Sequence, residues 1–490
     1  MPGNIYENNN LYKTEQIERE IKLTILLLIY LCQYRFFLKK SGLYMCNFGR
    51  NTEQQNMSKK EIIAGRGFYY MPSAFITLKV TADEKYNHEK MLNAVLDLEE
   101  VHPIINDVVR KSGEKMWFEE IGKHVSLIRY EEKENIKWED VVLELTKEPV
   151  NLSEVPGVMI CVIEKSDSFD LLVICHHIYA DGIGLKCLAD DLLYMYSTCD
   201  KLQMKEALTE LSEANLTSDY KIPEDLKQRY LSFAQTCKER QVEFSWEAYK
   251  QMIEKHNEIV GSGIVCRNIK GAAFQNLKDK CKEYGVTLNS ALTVAMAAAL
   301  QKGEKIDSII AVNTRPLFNY DEKSGLANFA SCIQSTVKYD NSVGFWENAV
   351  NIDKEIKVEK DNKKKMLNTL YTFMLWGADV FGVGYYARYG MFTDMEVLME
   401  LRKTLGLNTE AETFDISNVG SADFELSSKN ITLKDCYFMP NLMPACACTF
   451  GVASLSDTLT ITLGFKKNLV TQEKAEEIID KVTAYFRECS

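Results

Sequence analysis

The chain has 490 residues, 46% of them apolar and 26% charged, with a formal net charge of −12. That length exceeds one small hydrophobic core and predicts two or three lobes of a globular protein. The acidic balance excludes nucleic acid as the main partner, because neutralising phosphates takes a basic face, whereas a phosphate-bearing small molecule needs only a local Lys or Arg cluster.

Residues 1–56 differ in character from the rest. An Asn-rich start leads into an apolar stretch over 23–38, interrupted by Gln33 and Arg35, so its clean core is shorter than the ~20 residues of a membrane span. It shows neither the basic leader nor the small-residue cleavage site of a signal peptide. Lys39 and Lys40 after it would suit a weak interfacial helix. We expect residues 1–63 to be an extension, disordered or weakly membrane-associated, on a functional chain that starts near Met57.

From Gly65 the pattern becomes strand-rich. Residues 74–80 alternate apolar and small polar types, and 86–98 show helical spacing that ends near His102-Pro103. Residues 123–130 and 158–164 read as strands, and 171–175 as an unbroken apolar strand covered on both faces. Ile183 to Met195 is an amphipathic helix, and 201–260 a charged helical connection. A second cycle opens near Ile264 with a strand, helices over 273–284 and 289–300, and a buried strand over 308–312. A helical insertion covers 343–408; its apolar patch from Tyr371 to Tyr386 reads first as core and second as the wall of a substrate pocket. Strands over 414–420, 447–454 and 458–465 and a helix over 472–489 close the chain. Two interleaved strand–helix cycles predict an α/β architecture with lobes over 64–200 and 261–490.

Only six histidines occur, and two are adjacent in His176-His-Ile-Tyr-Ala-Asp-Gly182, directly after the apolar run. A strand that delivers an imidazole to a turn can build a general base, since much of the ring is neutral near pH 7. His177 is the candidate base; His176 points the other way on the alternating backbone and reads as structural. Asp181 has two readings. It orients His177, or it turns away and pairs with a cation that holds the turn shut, for which Arg315 at the end of another buried strand is the candidate. We adopt the second; removing one partner of such a pair leaves a buried charge at a cost of ~3–5 kcal/mol. Gly182 allows close packing or unusual backbone angles where the helix begins. Ser417 and Asn418, in Ser-Asn-Val-Gly, form a plain turn or supply donors to a developing oxyanion.

The fourteen cysteines follow no framework spacing and predict reduced thiols in a cytoplasmic setting. Cys446 and Cys448 form C-x-C with no second ligand pair nearby, so no metal site is expected. Cys175 lies in an apolar strand and reads as an inert thiol.

The heptad resembles the His-His-x-x-x-Asp-Gly signature of the chloramphenicol acetyltransferase-like and condensation-domain acyltransferases. Asn151-Leu152 through Pro156, Val312-Asn-Thr-Arg-Pro316 and Ser417-Asn-Val-Gly420 support it over about residues 64–490. The resemblance implies two similar lobes with a central tunnel, His177 as base, and Asp181 paired with Arg315. The Asp-Phe-Gly-Trp-Gly of the plant branch is absent from the sequence, so the alcohol acetyltransferase or stand-alone condensation branch is nearest. The function it implies is acyl transfer from a thioester, with coenzyme A as co-substrate and no tightly bound cofactor, to a small hydroxyl or amine acceptor, by a monomer. Lys466 and Lys467 are candidates for the phosphate contacts. One alternative is condensation with a phosphopantetheine-borne donor on an acyl carrier protein; another is a non-catalytic binding module of the same fold.

Overall fold

The computed structural model describes residues 60–131, 136–206, 216–217, 220–300, 306–318, 325–405 and 413–487. The 23–38 apolar stretch and the expected start near Met57 lie outside them. Fourteen strands occur among the described residues. β1 (Lys60–Glu61), β2 (Phe75–Ala82), β3 (Val108–Ser112), β4 (Lys115–Glu119), β5 (Ser126–Tyr130), β6 (Val158–Glu164) and β7 (Phe169–His176) come from the N-terminal half. β8 (Ser262–Lys270), β9 (Ile306–Asn313), β10 (Ala330–Val337), β11 (Thr413–Ser421), β12 (Leu433–Met439), β13 (Cys448–Leu455) and β14 (Thr458–Lys466) come from the C-terminal half. They form a five-stranded sheet, β12-β2-β7-β6-β5, a six-stranded sheet, β10-β9-β11-β13-β14-β8, and a small sheet, β1-β4-β3. With the helices between them, this is the expected mixed α/β architecture.

The burial of β7 explains its lack of alternation. Phe169, Leu171, Val173 and Cys175 point into one core with the helix Gly182–Thr198, while Leu172 and Ile174 point into a second core with Trp138 and Tyr437. A strand covered on both faces has no polar side to show. β11 behaves differently: Phe414 and Ile416 enter the core of the six-stranded sheet, and Asp415 and Ser417 face a cavity.

One strand departs from the expected lobe boundaries. β12 is C-terminal in sequence but pairs antiparallel with β2, placing Cys436 opposite Val80 at the edge of the N-terminal sheet. Its alternate residues, Phe438 one way and Tyr437 the other, fill both cores of that sheet. Asp435 accepts a hydrogen bond from the buried Lys79 ammonium at 2.6 Å. The C-terminal half thus completes the N-terminal sheet.

The connection contains helices Glu224–Glu239 and Trp246–Ile259, and the insertion four more, Phe345–Asp361, Lys363–Leu375, Ala378–Arg388 and Met395–Leu405. The apolar patch divides between its two readings. Tyr371 and Trp376 are core against Tyr230 and Phe233, whereas Phe373, Phe381 and Tyr385 face the cavity. No described helix is long and apolar enough to cross a membrane.

Candidate active site

β7 ends at the histidine pair. The His177 N–H donates to the Ala74 carbonyl at 2.9 Å, which continues the pairing with the β2 side for one more residue and fixes where the ring emerges. It emerges into a cavity of about 280 Å³ at the junction of the two large sheets. Phe68, Met71 and Phe438 line it with elements of the N-terminal sheet; Ile309, Asp415 and Ser417 line it from the C-terminal sheet. A larger cavity of about 350 Å³, beside Arg110 and Trp246, does not include His177.

The ring is held on two sides. Phe68 stacks on it with centroids 4.1 Å apart, and its Nδ1 lies 2.9 Å from the Ala180 carbonyl oxygen. A carbonyl can only accept, so Nδ1 carries the hydrogen and Nε2 keeps the lone pair. Asn328 donates through Nδ2 to the His177 carbonyl at 2.7 Å, and the same nitrogen lies 3.0 Å from Nδ1. Burial holds the imidazole below its ordinary pKa, against a smaller upward pull from the Asp181 charge. The ring is therefore neutral at pH 7, with Nε2 left for the cavity.

His176 sits apart from the cavity. Its ring meets Phe75 edge-on at 5.3 Å, its Nδ1 accepts from the Ile178 N–H at 3.3 Å, and burial pushes its pKa down to about 3.

Asp181 turns away from the imidazole. Arg315 donates to it twice, Nη1 to Oδ2 at 2.6 Å and Nη2 to Oδ1 at 3.1 Å. Oδ1 also accepts from the Gly184 N–H at 2.9 Å and Oδ2 from the Phe329 N–H at 2.9 Å. The carboxylate thus caps the helix Gly182–Thr198 and clamps a turn of the C-terminal half. Burial alone would raise its pKa; the Arg315 charge and these hydrogen bonds more than offset that and hold it below the carboxylate range. Gly182 is explained by close approach: a Cβ there would lie 2.5 Å from Val419 Cγ1 and 3.0 Å from Phe438 Cζ.

Ser417 lines the cavity with His177, whereas Asn418 does not. The Asn418 Oδ1 accepts from the Gly420 N–H at 2.8 Å, in a turn where Gly420 has φ +73°. This follows from strand alternation: if one neighbour faces the cavity, the next faces away. Lys466 and Lys467 form no exposed pair, because Lys466 is buried, donates to the Pro444 carbonyl at 2.5 Å, and has its pKa lowered to about 8 by burial. The thiol of Cys175 is likewise pushed well up by burial. Among the described residues no group of three metal-binding side chains occurs.

Phe68, Asn328 and Asp415 escaped the sequence reading. Phe68, at the end of a short 3-10 helix over Ala64–Phe68, and Asn328, in a loop, reach His177 from distant parts of the chain, and nothing in their local sequence marks them. Asp415 had a signal: it is a charge inside an apolar strand, two residues from Ser417 and so on the same face.

The site is thus a neutral imidazole at a strand end, facing a cavity between two sheets and backed by a buried Asp–Arg clamp. The condensation-domain family model matches residues 73–314. The fold is that of condensation domains and chloramphenicol acetyltransferase-like proteins. Among solved structures it is similar to the epimerization domain from the third module of tyrocidine synthetase B, with 13% identity over 90% of this chain and 98% of that one, TM-score 0.55. Polyketide synthase associated protein 5 from Mycobacterium tuberculosis is similar at 11% identity over 88% and 98%, TM-score 0.57. Trichothecene 15-O-acetyltransferase from Fusarium sporotrichioides is similar at 11% identity over 89% and 97%, TM-score 0.57. These likenesses are of fold. No curated protein matches the chain.

Proposed function

We propose that the protein is an acyltransferase that moves an acyl group from a thioester to a small hydroxyl or amine acceptor. The observation that carries this reading is the fixed tautomer of His177: Nδ1 is tied to Ala180, which leaves Nε2 as a base toward the cavity. In the proposed reaction Nε2 removes the acceptor's proton as its oxygen or nitrogen attacks the thioester carbonyl. The tetrahedral oxyanion is held by the Ser417 hydroxyl. Its collapse breaks the C–S bond, and the imidazolium returns the proton to the leaving sulfur. No covalent intermediate with the protein forms, so donor and acceptor bind together. Every side chain in this scheme comes from one chain, and a monomer suffices. Coenzyme A is the proposed thiol carrier, and the free cysteines among the described residues fit a reducing, cytoplasmic compartment.

The condensation-domain match favours a second reading, in which the donor is borne on a carrier protein. A panel of acyl-CoA and acyl-carrier donors, read by thiol release, decides between them. Turnover with acyl-CoA supports the first reading, and turnover confined to carrier-borne donors replaces it with the second. Capture of a protein partner with no thiol release from any donor favours a non-catalytic module.

A further inference from the structure

The cavity holds a carboxyl group that no cation on its walls pairs with. Asp415 is 5% exposed, and none of the residues lining the cavity is a Lys or Arg. No ion pair or side-chain hydrogen bond reaches its carboxylate among the described residues; a backbone contact from Ile416 is its polar support. Its neighbours on that face are apolar or weakly polar. β11 pairs in parallel with β9, which sets Ile309 beside Asp415, and Cys332 of β10 lies close enough for the Asp415 charge to raise its thiol pKa further after burial. Burial pushes the Asp415 carboxyl up to about 7.

A buried carboxylate without a counter-ion is costly, so such a group either takes up a proton, as the raised Asp415 pKa allows, or meets an opposite charge supplied by an occupant. Phe68, Phe373, Phe381 and Tyr385 line the same cavity, and aromatic rings attract ammonium groups, most strongly when desolvated. An ammonium occupant would hold the carboxyl in its ionised form, whereas an anion would be repelled by that form and an apolar occupant would leave it protonated.

Resting on the acyl-transfer reading, we infer that the substrate portion seated in this cavity carries an ammonium group, separate from the reacting atom, which pairs with Asp415 in this aromatic-lined space. Two sources share this chemistry: an acceptor with a second amine, or a donor with an aminoacyl chain.

The test has a binding arm and two transfer arms. In the first, calorimetry compares 4-phenylbutan-1-amine with 4-phenylbutan-1-ol on the wild type, Asp415→Asn and His177→Ala. The amine should bind about tenfold tighter or better to the wild type and to His177→Ala, and the preference should vanish in Asp415→Asn. Equal binding of amine and alcohol by the wild type overturns the inference without any variant. So does a preference that survives Asp415→Asn. Asp415→Asn should melt at or above the wild-type temperature, since it removes an unpaired buried charge. If it does not fold, Asp415→Ser takes its place.

The transfer arms use thiol release. One compares 4-amino-1-butanol with 1-pentanol as acceptors for acetyl-CoA; the other compares β-alanyl-CoA with butyryl-CoA as donors. The arm that favours its ammonium member by about tenfold identifies the source. Amine-selective binding with no transfer in any arm sinks the acyl-transfer reading alone. Transfer with no ammonium preference in either arm sinks this inference alone.

Discussion

The Arg315 guanidinium and the Asp181 carboxylate meet in a two-point contact, at 2.6 and 3.1 Å, with both side chains buried. Arg315 follows β9 of the six-stranded sheet and Asp181 follows β7 of the five-stranded one, so the pair ties the two sheets together beneath the cavity. Its nearest aromatic neighbour, Phe329, lies under the guanidinium with 5.0 Å to the ring centroid and donates its N–H to the same carboxylate. Asp181 is therefore committed on all sides and has no lone pair aimed at His177.

The first prediction follows from that commitment. Asp181→Asn and Arg315→Ala should each lower unfolding stability by ~3–5 kcal/mol, because each strands a buried charge or its donors. Activity should fall with the folded fraction. Urea denaturation measures the first quantity; unchanged stability in Asp181→Asn together with lost turnover would return Asp181 to a His-orienting role. The pH sign is fixed as well: the folded pKa of Asp181 is depressed, so its stabilisation is present above its unfolded value and is lost as pH falls through the folded one.

His177→Ala should behave in the opposite way. Turnover should drop by ~10²–10⁴-fold with the fold kept, and the melting temperature should fall only by what the Phe68 stack and the Ala180 contact supplied. Because burial lowers its pKa, the acid limb of the pH–rate profile for the free enzyme should lie below the usual histidine value. A limb above it would contradict the buried, neutral ring.

The two neighbours in Ser417-Asn418 should separate. Ser417→Ala should cut kcat by ~10²–10³-fold if its hydroxyl holds the oxyanion, leaving KM for the donor nearly unchanged. Asn418→Ala loses its contact with the Gly420 N–H and should affect stability by ~0.5–1.5 kcal/mol, with a smaller effect on rate. Equal rate losses in both would place the oxyanion contact elsewhere.

Gly182→Ala tests how closely the halves approach. The new methyl would lie 2.5 Å from Val419, an overlap that should cost ~1–3 kcal/mol. Val419→Ala in the same chain should recover part of it, and the coupling energy of the double-mutant cycle measures the contact directly.

What the sequence made legible depended on how local each signal was. The strand into His176 and His177, the helix capped by Asp181, and the 343–408 helices were all visible because burial and periodicity act on neighbouring residues. Arg315 was legible because it closes a buried strand and falls in a motif that matches a family. β12 was missed: its partner is β2, more than 350 residues away, and nothing within Leu433–Met439 announces which sheet it will join. Asn328 and Phe68 were missed for the same reason, as residues whose importance exists only where the chain brings them against one ring. Lys466, a candidate phosphate contact from its place beside Lys467, is buried with its ammonium reaching back to Pro444, a contact that nothing in the local sequence announces. Asp415 differs from these, since the alternation that faces Ser417 into the cavity also faces Asp415 there.

The last prediction concerns stability against pH, where buried histidines and a buried carboxyl pull in opposite directions. The pKa of His176 is pushed to about 3 by burial, and burial likewise lowers that of His256 to about 4. Below the ordinary histidine value the unfolded chain binds protons that these folded rings refuse, so they make stability fall as pH drops from about 6.5 toward 3–4. The slope approaches about 1.4 kcal/mol per pH unit for each proton. Asp415 acts the other way. Its folded pKa of about 7 lies above the unfolded carboxyl value, so its protonated form favours folding at low pH and that contribution is lost as pH rises toward 7. Between about pH 4 and 6.5 the terms partly cancel, and the wild type should show a flatter acid side than either class of group alone would give. Asp415→Asn should steepen the decline in that window and His176→Asn should shallow it, both read from urea midpoints at half-unit intervals of pH. If Asp415→Asn leaves the curve unchanged, that carboxyl is ionised in the folded chain at the same pH as in the unfolded one, and its burial carries no electrostatic cost.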